Sequence, residues 1–307
     1  MDASAASRIA ALIAEHALPA GYADTVRDVL APLAQRIDRL RERLKRPVIV
    51  GLCGSQGSGK STMAAFLAAL LESEGRKVAV LSLDDLYLSH DARQALAQDR
   101  HPLFATRGVP GTHDVALGAQ ILEALAGISG AAAVRLPRFD KAADDPWAED
   151  AWPIQATPVD VVLFEGWCVG ASPQDAAALD APVNALERDA DTDGTWRSAV
   201  NAVLADGYQR LFGRLDALVL IQAPGFEQVL AWRTLQEHRL AARLQASGEI
   251  GRKVMSDAEI ARFIQHYERL TRHILAEMPA RADAVIALDA DHAATEVRYR
   301  VGGALAT

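Results

Sequence analysis

Gly54-Ser-Gln-Gly-Ser-Gly-Lys-Ser-Thr62 carries the spacing Gly54-x-x-x-x-Gly59-Lys60-Ser61, which is that of a phosphate-binding loop. Glycines at 54, 57 and 59 let the backbone turn tightly and aim its N–H groups at phosphate oxygens. The whole loop, Gly54, Ser55, Gln56, Gly57, Ser58, Gly59, Lys60, Ser61 and Thr62, is thereby expected to cradle a nucleoside triphosphate. Lys60 is placed to reach the β- and γ-phosphates, and the Ser61 hydroxyl to ligate Mg²⁺. A helix starting at the loop's end adds the positive pole of its macrodipole. The flanks fit. A β-branched run (Val48, Ile49, Val50) precedes the glycines, and Met63, Phe66, Leu67, Leu70 and Leu71 follow at helical spacing.

Carboxylates stand at the ends of two other apolar runs. Asp84 and Asp85 close Lys77-Val-Ala-Val-Leu-Ser-Leu83, where a carboxylate can accept the proton of an attacking hydroxyl. The plainer role, capping the next helix, suits Asp85 better than Asp84. Glu165 ends Val159-Asp-Val-Val-Leu-Phe-Glu165 directly before Gly166. A carboxylate after five buried residues needs a partner, and a metal ion shared with Ser61 would supply one. Two loops, Arg107-Gly-Val-Pro-Gly-Thr-His-Asp114 and Pro137-Arg-Phe-Asp-Lys141, contribute Arg107, His113, Asp114, Arg138, Asp140 and Lys141. That mixture suits a small anionic hydroxy compound: guanidinium for its carboxylate or phosphate, carboxylates for its hydroxyls. Well-capped turns would account for the same residues.

The elements that must position these groups follow from periodicity. Apolar runs at 77–83, 134–137, 159–165, 215–221 and 284–288 alternate with helical patterns after the first strand at 48–50. This predicts an α/β fold with a doubly wound, mostly parallel sheet, the motifs gathering at the strands' carboxyl ends. Helical patterns at 4–18 and 22–46 precede the sheet, with Pro32 expected to kink or break the second. The basic run Arg36–Arg46 reads as a solvated helix face. Residues 142–158, acidic and broken by prolines, read as a surface loop. Residues 224–278 are strongly helical with an interruption at Ser247–Gly251, and Ser256-Asp-Ala-Glu259 has capping-box spacing.

Composition bounds the rest. Hydrophobic content of 50% in 307 residues is ample for a core. A net charge of −8 argues against nucleic acid as the main partner, though not against a phosphorylated ligand in a basic pocket. The two cysteines, Cys53 and Cys168, each beside a glycine or at a strand end, read as small buried residues of a reduced compartment. With no secretory leader pattern and no apolar run near the ~18 residues that cross a bilayer, the chain is expected to be soluble and cytoplasmic, with no membrane partner.

Taken together, the loop at 54–62, Ser82-Leu-Asp-Asp-Leu-Tyr87, Arg107–Asp114, Pro137–Lys141 and Phe164-Glu-Gly-Trp167 resemble the plant-type D-glycerate 3-kinases. These belong with phosphoribulokinase, uridine kinase and bacterial pantothenate kinase among the P-loop kinases. Trp232-Arg-Thr-Leu-Gln-Glu237 and Met255-Ser-Asp257 are similar to that family's lid. The resemblance implies a five-stranded parallel core, ATP with Mg²⁺, and phosphorylation of a small alcohol. It implies Asp84 as general base and Glu165 at the Walker-B position. It also implies that Arg233, with Arg239 or Arg243 behind it, closes over the phosphates, so that Asp84, Lys60, Glu165 and Arg233 form the catalytic set. Residues 1–46 become an N-terminal helical extension and 47–307 the kinase domain, its lid at about 224–278.

The chain departs from the family pattern in two places. Acidic Ala142–Asp150 follows Lys141 where the family continues with serine and a glycine-rich basic segment, and Tyr267-Glu-Arg269 lacks the usual Met-Pro. These departures leave ATP binding untouched and bear on the acceptor, for which the resemblance implies D-glycerate. A pantothenate-like acid, a nucleoside, and a regulatory ATP-binding protein without an acceptor stay open beside it.

Overall fold

A computed structural model describes residues 3–19, 21–247 and 254–306. Helix α1 (Ala3–Glu15) is followed by a rod in which α2 (Tyr22–Thr25), a π-helical turn (Val26–Leu30) and α3 (Ala31–Leu44) run on without a break. Pro32 sits in the first turn of α3. There it lacks an N–H and crowds the carbonyl four residues back, and the widened turn before it absorbs both effects. The rod continues where the sequence suggests a kink. Leu33, Ala34, Ile37 and Leu40 form its buried face and share one core with the central sheet.

The chain then runs through β1 (Val48–Gly54), α4 (Lys60–Ser73), β2 (Val78–Ser82), α5 (His90–Asp99) and α6 (Val115–Leu125). A peripheral stretch holds β3 (Ala133–Arg135), β4 (Phe139–Asp140), β5 (Asp145–Pro146) and β6 (Ile154–Ala156). The sheet resumes at β7 (Val161–Gly166), and α7 (Ala185–Ala190), α8 (Thr195–Val203) and α9 (Gln209–Phe212) lead to β8 (Ala217–Gln222). Two long helices, α10 (Phe226–Ser247) and α11 (Asp257–Glu277), precede β9 (Ala284–Leu288) and β10 (Ala294–Tyr299).

The central sheet has the order β10-β9-β8-β1-β7-β2, parallel throughout except for β10. The expected α/β architecture with a five-stranded parallel core is therefore present. Strands β1 and β7 are buried at every position, as parallel strands covered on both faces must be. Because β7 lies between β1 and β2, Cys53 stands opposite Gly166 and Ser82 opposite Glu165. The phosphate loop, Glu165 and the turn carrying Asp84 thus leave the sheet at one edge, where open α/β sheets bind their ligands.

Two expectations need correction, and one strand was not expected. The run at 134–137 is not part of the central sheet: only Ala133–Arg135 is extended, and it pairs antiparallel with β6. Its residues are exposed or half-buried, and Pro137 offers no N–H to extend a ladder. Residues 142–158 are more ordered than a plain loop. They contain β5, a 3₁₀ turn at Glu149–Ala151 and β6, tied by Trp147 N–H to the Arg138 carbonyl at 2.8 Å. Strand β10 escaped the sequence reading because its alternation of half-buried and exposed residues, typical of an antiparallel edge, is short.

The capping box expected at Ser256 is present. Ser256 N–H donates to Glu259 at 2.8 Å, and Glu259 N–H donates back to the Ser256 hydroxyl at 3.3 Å. The expected interruption at Gly248 and Gly251 lies outside the described residues. Among the described residues no helix is long and apolar enough to cross a membrane. Both cysteines are buried thiols, and burial pushes that of Cys53 up to about 12.

Candidate active site

The loop at 54–62 caps α4 through Gly59, whose φ of +82° is left-handed. Gly57, at φ +76°, meets α10 so closely that an added Cβ would sit 2.6 Å from the Trp232 Cβ. His292 Nε2–H donates to the Gly57 carbonyl at 2.7 Å, and the His292 ring stacks on Trp232 at 4.3 Å. Trp232 Nε1 donates in turn to the Ala290 carbonyl at 2.8 Å. The loop tip is therefore gripped by α10 and by the turn after β9. Inside the loop, the hydroxyls of Ser55 and Ser58 and the Gln56 side-chain oxygen are buried without a hydrogen-bond partner among the described residues. Buried polar atoms are rarely left so, and a phosphate group would satisfy the donors among them.

Ser61, in the first turn of α4, donates to Glu165 Oε1 at 3.0 Å. Glu165 is 4% exposed, and its Oε2 has no partner among the described residues. An orphaned carboxylate oxygen beside a hydroxyl fits a hard cation such as Mg²⁺. Among the described residues no three His, Cys, Asp or Glu side chains gather into a metal cage. A cation held here would take its other ligands from phosphate and water, as Mg²⁺ ordinarily does.

Asp84 follows β2 in a short 3₁₀ turn. Its Oδ2 accepts from Lys141 Nζ at 2.6 Å and its Oδ1 from the Tyr87 hydroxyl at 3.0 Å. Burial works to raise its pKa, but Lys141 and then Lys60 outweigh burial and hold it well below the usual carboxylate range. The aspartate is thus ionised at neutral pH beside the phosphate loop. Asp85 caps no helix. It accepts from Phe139 N–H at 3.1 Å and from Arg138 at 3.4 Å, so it fixes the start of β4; burial raises its pKa.

The expected acceptor-binding residues separate into groups. Arg107 pairs with Asp144 and donates to the Lys141 carbonyl at 3.3 Å. Asp144 also binds the fully buried Arg93 at 2.8 Å, so the acidic stretch after Lys141 neutralises Arg107. Arg138 is held by Asp85 and by the Pro137 carbonyl. His113 is buried, stacks on Tyr87 at 4.5 Å, and binds the Tyr208 hydroxyl through Nδ1 at 2.6 Å. Burial pushes its pKa down to about 3, so it is a neutral wall of the site. Asp114 does not join the others: its carboxylate caps α6 through Leu117 N–H at 2.8 Å. Asp140 accepts from Ala142 N–H at 2.8 Å and shapes the turn after β4.

Arg233 lies on α10 but faces α11. It pairs with Glu237 at 2.6 Å and rests 6.0 Å from the Phe263 ring centre. Glu237 also accepts from Met255 N–H at 3.0 Å, tying α10 to the start of α11. Arg239 is exposed, and the side chain of Arg243 lies outside the described residues.

Three aromatic residues of the site have no signal in local spacing. Tyr87 orients Asp84. Trp167 Nε1 donates to the Gly108 carbonyl at 2.9 Å, and the Tyr267 hydroxyl donates to the Arg107 carbonyl at 3.0 Å. Gly108, at φ +139°, leaves room for the Tyr267 hydroxyl where a Cβ would collide with it. Tyr87 binds Asp84 only three residues away, whereas the partners of Trp167 and Tyr267 are distant in sequence.

The comparisons with known proteins extend over both halves of this site. A family model described as methylmalonyl Co-A mutase-associated GTPase MeaB matches residues 27–90, which span the phosphate loop and Asp84 but stop before the loops at 107–114 and 137–141. The chain is 38% identical over 233 residues to the uncharacterized kinase mug58 of Schizosaccharomyces pombe, covering 72% of this chain and 79% of that one. It is 30% identical over 259 residues to the chloroplastic D-glycerate 3-kinase of Arabidopsis thaliana, covering 80% of this chain and 53% of the relative. The chain therefore spans about half the length of the plant protein. The structure of D-glycerate 3-kinase from Cryptococcus neoformans is similar at a TM-score of 0.74 and 25% identity, over 90% of this chain and 99% of that one.

Proposed function

The chain belongs to the D-glycerate 3-kinase family of P-loop kinases, and from that premise we propose that it transfers the γ-phosphoryl group of ATP to a hydroxyl of a small hydroxy acid, D-glycerate giving 3-phosphoglycerate. The observation that carries this reading is Asp84: an ionised carboxylate just after β2, oriented by Tyr87, bound by Lys141 and near Lys60. A protein that only sensed ATP would have no use for such a base.

The chemistry follows from the geometry. The acceptor hydroxyl gives its proton to Asp84 while its oxygen forms a bond to the γ-phosphorus. The bond from that phosphorus to the β–γ bridging oxygen breaks, and its electron pair leaves with ADP. Lys60 stands where negative charge develops on the transferred group. Ser61 and Glu165 would hold Mg²⁺, which would supply further positive charge against the phosphates. Lid closure would free Arg233 from Glu237 for the phosphates and exclude water. For the acceptor carboxylate, Lys141 is the most available cation, because Asp144 neutralises Arg107 and Asp85 holds Arg138.

An ADP-release screen of hydroxy acids, nucleosides and sugars tests the reading. D-Glycerate should stimulate turnover most strongly. A nucleoside in its place would transfer the same chemistry to a neutral acceptor, as the neutralised Arg107 would allow. No stimulation by any alcohol would leave a regulatory ATP-binding protein.

A further inference from the structure

We propose that Lys141 sets acceptor specificity by holding Asp84 until an acceptor carboxylate draws its ammonium away, so that the base is released for an anionic acceptor and withheld from a neutral one. The inference rests on the reading of Asp84 as the base for an acidic acceptor.

Three features of the cluster support it. First, both oxygens of Asp84 are engaged, Oδ2 by Lys141 at 2.6 Å and Oδ1 by Tyr87 at 3.0 Å. A carboxylate bound by an ammonium is a poor proton acceptor, and the low pKa of Asp84 agrees, with Lys141 the largest influence opposing burial. Second, the two ends of the Lys141 pair are unequal. The Asp84 side chain is 20% exposed, whereas that of Lys141 is 60% exposed. Among the described residues Asp84 is the one hydrogen-bond acceptor found for the ammonium. A lysine is a compact charge on a flexible stem, so it can change partners without moving the backbone. Third, the other cations are anchored. Asp144 binds Arg107 through Oδ1 while its Oδ2 and its carbonyl hold the buried Arg93, which also binds the Ala105 carbonyl at 2.9 Å, so Arg107 is paired with a carboxylate that is itself anchored. Asp85 holds Arg138 while it also fixes Phe139 N–H.

Exchanging one carboxylate partner for another leaves the ammonium's interactions nearly constant, so an acidic acceptor can compete for Lys141. A neutral alcohol or water cannot. Tyr87, stacked on His113 at 4.5 Å and set edge-on to Phe139 at 5.3 Å, keeps Asp84 oriented once the lysine has left.

The test compares wild type with Lys141→Gln and Lys141→Arg in three assays: ATP hydrolysis without acceptor, and kcat/KM with D-glycerate and with glycerol. In Lys141→Gln, hydrolysis without acceptor and turnover of glycerol should both rise several-fold. Its kcat/KM for D-glycerate should fall roughly tenfold to a hundredfold, the worth of a charge-assisted hydrogen bond. Lys141→Arg should keep most of the preference for the acid. An unchanged acid-to-alcohol ratio, or acceptor-free hydrolysis that stays level or falls in Lys141→Gln, overturns the proposal and leaves Lys141 a residue that merely steadies Asp84. If D-glycerate fails to stimulate wild type while Lys141→Gln still releases hydrolysis, the D-glycerate reading falls and the restraint by Lys141 stands.

Discussion

Asp84 and Glu165 illustrate what single residues disclose. Both were legible because a carboxylate at the end of an apolar run has no local structural reason to be there. Their surroundings were not, since Lys141 lies 57 positions from Asp84 and Glu165 lies 104 from Ser61. Asp114 misled for a related reason: an aspartate that caps a helix and one that binds a hydroxyl look alike in sequence. If Asp84 takes the acceptor's proton, Asp84→Asn keeps its size and the Tyr87 contact but loses basicity, and kcat should fall by roughly 10²–10⁴. ATP affinity should change little. Asp85→Asn should act more mildly, by loosening Phe139 and Arg138 at the start of β4. Steady-state kinetics with separately measured ATP binding distinguish the two, and a reversed order of severity would place the base one residue later.

At the level of elements, the strand–loop–helix unit β1–α4 could be read directly, because glycine spacing, the β-branched run before it and the helical period after it agree. The contact between that loop and α10 could not be read, since Gly57 and Trp232 meet only through the fold. Likewise β3 had an apolar pattern too short to tell a central strand from a peripheral hairpin. The contact between the loop and α10 makes Gly57→Ala informative. Its φ of +76° is unfavourable for alanine, and the new Cβ would press on the Trp232 Cβ at 2.6 Å. Strain of this kind is worth about 1–3 kcal/mol. ATP affinity, measured by calorimetry, should drop about tenfold or more, because the tip must shift or α10 must lift. Unchanged affinity would mean that the loop tip and α10 do not act together on the nucleotide.

Across the whole molecule, the mostly parallel sheet follows from the alternation of strands and helices, whereas the depth at which polar groups are buried does not. His113 and His266 are the clearest cases, with burial pushing their pKa values down to about 3 and about 4. The unfolded chain protonates both from near 6.5, so below that pH it binds protons that the native state refuses. Asp84 adds to the loss in stronger acid: its depressed pKa gives stability that is present above the ordinary aspartate value of 3.8 and lost as pH falls towards its native value. The thermal midpoint should therefore be level above pH ~7 and fall between about pH 6.5 and 4, and His266→Gln should make that fall shallower. An equally steep fall in the variant would mean that His266 is already charged in the native protein. The proposed phosphoryl transfer itself is tested most directly by ³¹P NMR of the protein with ATP, Mg²⁺ and D-glycerate. The expected result is a phosphomonoester on the glycerate 3-hydroxyl that grows in step with ADP, with little inorganic phosphate; ADP accompanied only by inorganic phosphate, or no loss of ATP, would contradict it.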